Sequence, residues 1–154
     1  MTSIRQRGIA GIRPGDTFSV TRTFCDDDII QFAKISGDYN PVHFDAPFAH
    51  AKGFKACISH GLLSASLTTE IGGQLGWLAS QMNFRFKKPV YSGDTICCTV
   101  KVESIDERRR VQASATLNNQ HGETVVLCEL AAVAPTADER GRMQEITRSA
   151  PYKE

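Results

Sequence analysis

The chain has 154 residues, of which 41% are hydrophobic and 23% are charged. This composition is that of one ordinary globular domain, and it excludes a disordered or fibrous protein. Eighteen basic and seventeen acidic side chains leave a formal net charge of +1. The chain therefore has no overall field to attract nucleic acid or an anionic membrane, and we expect neither as a partner.

Cysteine usage and apolar segments indicate the compartment. The five cysteines are an odd number without a Cys-x-x-Cys pair, which favours a reducing, cytoplasmic environment. We find no apolar secretion signal, and no segment approaches the roughly twenty apolar residues of a membrane span. Arg5, Arg7 and Arg13 precede the first acidic residue, so an organellar matrix is the less favoured alternative. Cys57 and His60 have the Cys-x-x-His spacing of zinc ligands, but the sequence has no second pair of such ligands, so we predict no metal site.

The first half of the chain predicts one strand and two helices. β-Branched and aromatic residues alternate over 17–24, as in a short strand. Three acidic residues after Cys25 favour a helix start, and helical spacing of apolar residues continues to Gly37. Residues 59–77 are uncharged apart from Glu70 and combine leucines with small side chains, which predicts a buried helix of about 28 Å.

The second half changes to a strand period. Alternation or β-branched enrichment, interrupted by turn residues, predicts antiparallel strands at 81–86, 95–104, 111–118 and 123–133. One apolar helix followed by such a meander predicts an α+β hot-dog fold, in which an antiparallel sheet wraps around a long central helix. We therefore expect a single domain over 1–134 and a polar, mobile C-terminal tail over 135–154.

The irregular segment after the first helix contains a carboxylate and an imidazole that a turn can bring together. Asp38 and His43 lie five residues apart, and a tight turn through Asn40 and Pro41 would bring both within reach of one water. Such a pair can transfer protons to and from a substrate. The alternative is that Asp38 and Asn40 only cap turns while His43 bonds locally.

Three blocks of sequence resemble the MaoC-like, or (R)-specific enoyl-CoA hydratase, family. Residues 36–43 (SGDYNPVH) resemble its hydratase motif, 58–66 (ISHGLLSAS) its His-Gly step into the central helix, and 84–94 its Phe-x-x-Pro-Val and Gly-Asp elements. The blocks occur in the family's order, and the resemblance extends over about 15–133. It implies a dimeric hot-dog enzyme that hydrates or dehydrates acyl thioesters without a cofactor, with acyl-CoA or an acyl carrier protein as substrate.

The resemblance also implies roles for individual residues. Asp38 and His43 would bind the catalytic water, and the Gly61 N–H would contact the thioester carbonyl. We favour Asp38 as the base and expect Asn40 and Pro41 to keep the turn rigid. Physical chemistry supports Gly61, because amide groups at a helix start are unpaired and a glycine permits close approach.

Residues outside this motif receive weaker assignments. Arg85, Lys87 and Lys88 form a basic cluster that would contact CoA phosphates or a carrier protein, although a solvated strand end is the plainer interpretation. Thr69 is a candidate for lining the acyl pocket. We expect His60 to steady the helix start without taking part in the chemistry.

Two other functions are compatible with the same fold. A non-catalytic module that binds or senses acyl thioesters would not need the Asp38 and His43 pair, so the pair favours the enzyme. A hot-dog thioesterase would direct water at the thioester carbon, and the hydratase motif argues against it. All three possibilities predict a homodimer or larger even oligomer, because an exposed apolar sheet face requires burial.

Overall fold

The computed structural model describes residues 3–149. Within this range the helices are α1 (Ile4–Ala10), α2 (Asp26–Ser36), α3 (Ala46–Ala51), α4 (Gly61–Ala65), α5 (Leu67–Leu75) and α6 (Ala137–Ser149), with a 3₁₀ turn at Pro41–His43. The strands are β1 (Thr17–Thr23), β2 (Leu78–Phe86), β3 (Thr95–Ile105), β4 (Arg110–Asn118) and β5 (Thr124–Val133).

The five strands form one antiparallel sheet in the order β1-β3-β4-β5-β2. Alternate residues of β3, β4 and β5 are buried, apart from the adjacent pair Val125 and Val126, because successive side chains of a strand point to opposite faces. Helix α5 approaches both edge strands, β1 and β2, as well as the inner strand β3 next to β1. A sheet whose two edges reach the same helix is curled around it, so the predicted hot-dog arrangement is confirmed.

The central helix is shorter than the predicted span of 59–77. Helices α4 and α5 are separated only by Ser66, whose backbone stays in the right-handed helical region (φ −60°, ψ −19°). Leu67, Ile71 and Leu75 follow at four-residue spacing and join the core that the sheet encloses. Gly76 ends the helix in the left-handed conformation (φ 72°), which glycine adopts without a steric cost.

The structure contains three helices that the sequence analysis did not predict. Helix α1 begins at a capping box formed by Ser3 and Gln6, and α3 begins after Asp45, whose carboxylate accepts the Phe48 N–H. Helix α6 occupies most of the segment expected to be a polar tail. Its start is fixed by reciprocal side-chain bonds between Thr136 and Glu139.

Helix α6 has no fully buried residue, but it lies over the end of the central helix. A Cβ atom on Gly76 would come within 2.7 Å of the Met143 Sδ, so that side chain is in close contact with the helix terminus. Mobility of this segment stays a prediction, and residues 150–154 of the expected tail lie outside the described residues. None of the helices in residues 3–149 has the length and apolar character required to cross a bilayer.

Candidate active site

The turn after α2 is built from side chains that bond to nearby backbone. Gly37 ends the helix in the left-handed conformation, and Asp38 follows directly. The Asp38 Oδ1 atom accepts the Asn40 N–H at 3.1 Å, and the Asn40 Oδ1 atom accepts the Val42 N–H at 3.2 Å. Pro41 occupies the first position of the 3₁₀ turn, where its missing N–H costs nothing. Asn40 and Pro41 thus form the start of the 3₁₀ turn, and their supporting role in catalysis stays a prediction.

His43 is fixed in both orientation and tautomer. Its Nδ1 atom lies 2.8 Å from the carbonyl oxygen of Ile58, and the Ile58 N–H donates to the Val42 carbonyl at 3.2 Å. A carbonyl oxygen can only accept, so Nδ1 must carry the proton. The Nε2 atom of the neutral ring is consequently left with a free lone pair.

The predicted acid and base groups meet in space. The Asp38 Oδ2 atom lies 3.6 Å from the His43 Nε2 atom, which is too long for a direct hydrogen bond. The His43 side chain is 8% exposed and the Asp38 side chain 48% exposed, so solvent reaches the pair from the aspartate side. An ionised carboxylate and an unprotonated Nε2 are both acceptors. One water molecule can donate a hydrogen bond to each of them.

His60 lies beneath this pair, which the sequence analysis did not foresee. It occupies the N-cap position of α4, yet its side chain makes no bond to the helix. Its Nε2 atom is instead 2.9 Å from the Asp38 carbonyl oxygen, and its ring stacks on His43 with centroids 3.8 Å apart. The expectation that His60 steadies the helix start is therefore wrong. The His-Gly pair that precedes the central helix could have drawn attention to His60. Its contact with Asp38, 22 residues away, could not be predicted from local sequence.

A cavity of about 650 Å³ opens beside these residues. The acid–base pair, His60 and Gly61 form its polar side, and Phe32, Phe54 and Val126 contribute to its apolar side. This combination of an apolar wall with a few convergent polar groups is typical of a small-molecule site. Its volume is that of a substrate pocket and exceeds that of a single bound water.

Gly61 lies at the start of α4 on the wall of this cavity. The amide groups of Gly61 and Leu62 donate no hydrogen bond to any group in residues 3–149, as expected at a helix start. A Cβ atom on Gly61 would lie 2.7 Å from the Cε1 atom of Phe86. Only glycine therefore fits under the Phe86 ring as it stands, and Phe86 is a cavity residue that the sequence analysis did not select.

The predicted substrate-binding residues are distributed over different surfaces. Lys87 and Lys88 line the cavity, and Lys88 forms an ion pair with Glu123. Arg85 lies in a separate pocket of about 160 Å³ with Asn83 and Glu129.

Thr69 also lies outside the cavity. It lines another small pocket between α5 and the sheet, and its hydroxyl donates to the Ser66 carbonyl at 2.6 Å. Arg85 and Thr69 therefore do not lie with Lys87 on the wall of the 650 Å³ cavity. Their contacts with substrate stay predictions.

Asp38, His43 and His60 form a cluster whose potential ligand atoms lie within 4.8 Å of one another. The two imidazole rings are stacked and inclined by only 30°. Because the lone pair of an imidazole lies in the ring plane, stacked rings direct their lone pairs side by side and not at a common ion. The arrangement suits proton transfer better than metal coordination, and the absence of a resident metal stays a prediction.

The comparisons with known proteins agree with this geometry. Residues 12–124 match the model of the MaoC like domain. The chain is 33% identical over 143 residues to the mitochondrial 3-hydroxyacyl-[acyl-carrier-protein] dehydratase FERN of Solanum lycopersicum. The aligned region covers 90% of this chain and 87% of that protein. It is 31% identical over 128 residues to the (R)-specific enoyl-CoA hydratase of Rhodospirillum rubrum, and this alignment covers 80% of this chain and 89% of that protein.

The fold comparison gives the same result. The solved structure of the (R)-hydratase from A. caviae involved in PHA biosynthesis superposes on this chain with a TM-score of 0.76 and 29% sequence identity. The superposed region covers 81% of this chain and 98% of the hydratase. The matched residues include the Asp38 and His43 turn and the start of the central helix. The chain therefore belongs to the MaoC-like domain family.

Proposed function

We propose that the protein is a hydratase/dehydratase of acyl thioesters that reversibly hydrates a trans-2-enoyl-CoA to the (R)-3-hydroxyacyl-CoA. The observation that carries the proposal is the 3.6 Å separation of two acceptor atoms, Asp38 Oδ2 and His43 Nε2, on the wall of a cavity that also contains the Gly61 amide. Relatives named (R)-specific enoyl-CoA hydratase and 3-hydroxyacyl-[acyl-carrier-protein] dehydratase support it, and the R configuration is taken from the first of these names.

The pair acts on a water molecule that donates to both groups. Asp38 removes a proton from the water as its oxygen forms a bond to C3 of the enoyl group. The electron pair of the C2–C3 double bond moves toward the carbonyl and gives an enolate. His43 orients the water, takes that proton from Asp38 on its Nε2 atom and passes it to C2, which completes the addition of water and returns both groups to their starting states. Dehydration uses the same groups in the reverse order.

The Gly61 N–H stabilises the charge that this reaction develops. Negative charge appears on the thioester oxygen only in the enolate and the transition state leading to it. An amide that is already unpaired and oriented by the helix start stabilises that charge without having to reorganise. The chemistry requires only proton transfer and hydrogen bonding, so we propose that no cofactor takes part.

The carrier of the acyl group is bound at the mouth of the cavity. Lys87 is exposed on the cavity wall, where it can meet a phosphate of CoA or of the prosthetic group of a carrier protein. Lys88 is already paired with Glu123, so we assign it the smaller contribution. The names of the relatives include both carriers, CoA and acyl carrier protein.

We also propose that the protein forms a homodimer or larger even oligomer. Strand β2 is an edge of the sheet, and its Leu78 and Phe86 side chains are 74% and 53% exposed. An unpaired edge with exposed apolar side chains favours association with a second copy. Sedimentation analysis of the purified chain tests this point independently of activity.

Hydration of crotonyl-CoA by the purified protein tests the proposed activity. Loss of the enoyl-thioester absorbance is followed for the wild type, Asp38→Asn and His43→Ala at equal concentration, and the product configuration is determined by chiral analysis. We expect turnover by the wild type alone, with an (R)-3-hydroxy product. A folded wild type that instead hydrolyses a saturated acyl-CoA, or binds crotonyl-CoA without turnover, would favour the thioesterase or the binding protein.

A further inference from the structure

We infer that His60 is a positioning residue that holds both members of the acid–base pair, Asp38 through its backbone and His43 through its ring. This inference rests on the proposed function, because it assigns His60 a role in that same site. It concerns a side chain that touches neither the catalytic water nor the substrate in the mechanism above. His60 acts through the two residues that do.

The first contact fixes the backbone of Asp38. The His60 Nε2 atom lies 2.9 Å from the Asp38 carbonyl oxygen, so this nitrogen carries the proton and donates. The Nδ1 atom is buried and has no hydrogen-bond partner in residues 3–149. A second proton on Nδ1 would therefore be buried without an acceptor, so the structure favours the neutral ring with its proton on Nε2.

The second contact supports the ring of His43. The two imidazole centroids are 3.8 Å apart and the rings are inclined by 30°, while Phe32 lies against His60 at 5.0 Å. His60 is 2% exposed, so its ring is a fixed layer between Phe32 and His43. His43 is held at its edge by the Ile58 carbonyl and on its face by His60. Together these contacts direct the His43 Nε2 atom at Asp38.

The part of the turn that carries Asp38, residues 37–40, contains little else that would hold it in place, whereas Val42 and His43 are bonded to Ile58. Between Gly37 and Phe44, Val42 is the residue that is buried in the core, while Asp38, Tyr39 and Asn40 are exposed. The other bonds of Asp38 join it to Ser36 and Asn40, which belong to the same exposed segment. The His60 bond thus connects the turn to the start of the central helix. Because a displacement of about 1 Å can reduce a rate a hundredfold, this connection affects catalysis.

The two contacts can be separated by substitution. His60→Gln keeps a donor at the reach of Nε2 and removes the ring, His60→Phe keeps a ring and removes the donor, and His60→Ala removes both. We expect kcat to fall about tenfold in the Gln and Phe variants, the equivalent of one net hydrogen bond or less. We expect a fall of about a hundredfold in the Ala variant. KM should change less than about threefold in each case, because substrate contacts are retained.

His50→Gln and His50→Phe provide the matched controls. The His50 Nε2 atom also bonds a backbone carbonyl, that of Lys55 at 3.1 Å, but His50 does not line the cavity. These variants should retain wild-type kcat. Melting temperatures of all variants establish that each is folded. Should His60→Ala not fold, the Gln and Phe variants decide the outcome.

A measurement independent of turnover uses the long-range ¹⁵N–¹H correlations of the histidine rings. We expect the wild type to show His60 protonated on Nε2 and His43 on Nδ1, and we expect the His43 signals to change toward a tautomer average in His60→Ala. Wild-type kcat in all three folded His60 variants, or a His43 ring that keeps its tautomer signature in His60→Ala, would overturn the inference. An inactive wild type would refute the proposed function, while the ring spectra would still decide the role of His60.

Discussion

The sheet core and the start of the central helix bury very different side chains. The buried residues of β3, β4 and β5 are apolar throughout. By contrast, the four buried polar side chains in residues 3–149 all lie between 59 and 68, namely Ser59, His60, Ser64 and Thr68. One side-chain atom of each of the first three has no hydrogen-bond partner within the described range, and all three residues line the cavity.

This difference shows where the fold keeps buried polar groups available to a ligand. An unpaired buried polar group costs about 1–3 kcal/mol, whereas an apolar side chain of similar shape would cost nothing. A packed core has no reason to retain three such groups next to each other. Their concentration at the cavity indicates that this segment is selected for binding and chemistry. Substitutions in the two regions should therefore affect different properties.

The largest effect is expected at the site. Asp38→Asn should lower kcat by about 10² to 10⁴, because the amide cannot accept a proton from water. The free energy of unfolding should change by less than about 0.5 kcal/mol, since the side chain is half exposed and the amide oxygen can still accept the Asn40 N–H. Crotonyl-CoA hydration and urea denaturation measure the two quantities. Retained activity would remove Asp38 from the mechanism.

The opposite behaviour is expected in the core. Ile71 is 0% exposed and packs in the cluster between α5 and the sheet. Ile71→Ala should lower the free energy of unfolding by about 2–5 kcal/mol through lost burial and the cavity left behind. Activity per folded molecule should stay within a few-fold of wild type. A large loss of kcat in the folded variant would show that core and site are not separable.

Gly61→Ala tests the boundary between the two regions. Its Cβ would displace the Phe86 ring, which is exposed enough to move, so we expect a small change in stability. The displaced ring would disturb the thioester site, and kcat should fall by about tenfold or more. Adding Phe86→Leu should restore part of the activity by relieving the contact. If the double variant does not regain activity, the loss arises from a change at the Gly61 backbone amide and not from the displaced Phe86 ring.

Removal of residues 137–154 should have a smaller effect. Helix α6 has no fully buried residue, and Met143 contributes a half-buried contact over Gly76. We expect a loss of about 1 kcal/mol in the free energy of unfolding, as for partial burial of one apolar side chain. Turnover of crotonyl-CoA should not change. A change in kcat would indicate that this helix contributes to the site.

The smallest expected effect is a pH dependence at the start of α2. The Asp28 carboxylate accepts the Cys25 N–H at 2.8 Å, and this hydrogen bond lowers the pKa of Asp28 below its ordinary value. A lowered pKa contributes stability above about pH 4 that disappears as the pH falls through the folded-state value. Asp28→Asn should therefore cost about 0.5 kcal/mol at pH 7, discounted for exposure, and less at pH 2. Thermal melts at both values measure the difference, and an equal cost at both would contradict the assignment.

The strands that were predicted best are those with one buried and one outer face. Strand β4 was expected at 111–118 and extends over Arg110–Asn118, because its buried residues alternate along its whole length. Strand β2 was expected to begin at 81 but begins at Leu78. Its first residues lie on an exposed sheet edge with a register shift between Ala79 and Gln81, so they carry no alternation.

The helices that were missed lack a strong apolar period. Helices α1 and α3 are seven and six residues long, and α6 is polar over most of its surface. Their starting signals were nonetheless present in the sequence, as the Ser3 and Gln6 box, the Asp45 cap, and the Thr136 and Glu139 box. Capping preferences act within four residues, so they identify such short helices when hydrophobic periodicity cannot.

The sequence by itself determined the buried faces of the sheet, the apolar central helix, and the motif that contains Asp38, His43 and Gly61. These features depend on side-chain period and local turn chemistry, which the order of residues specifies directly. Only the tertiary structure decided that His60 lies under His43 and that the Phe86 ring covers Gly61. Such contacts join residues 17 and 25 positions apart, so they follow from how the sheet and helix pack and not from local preference.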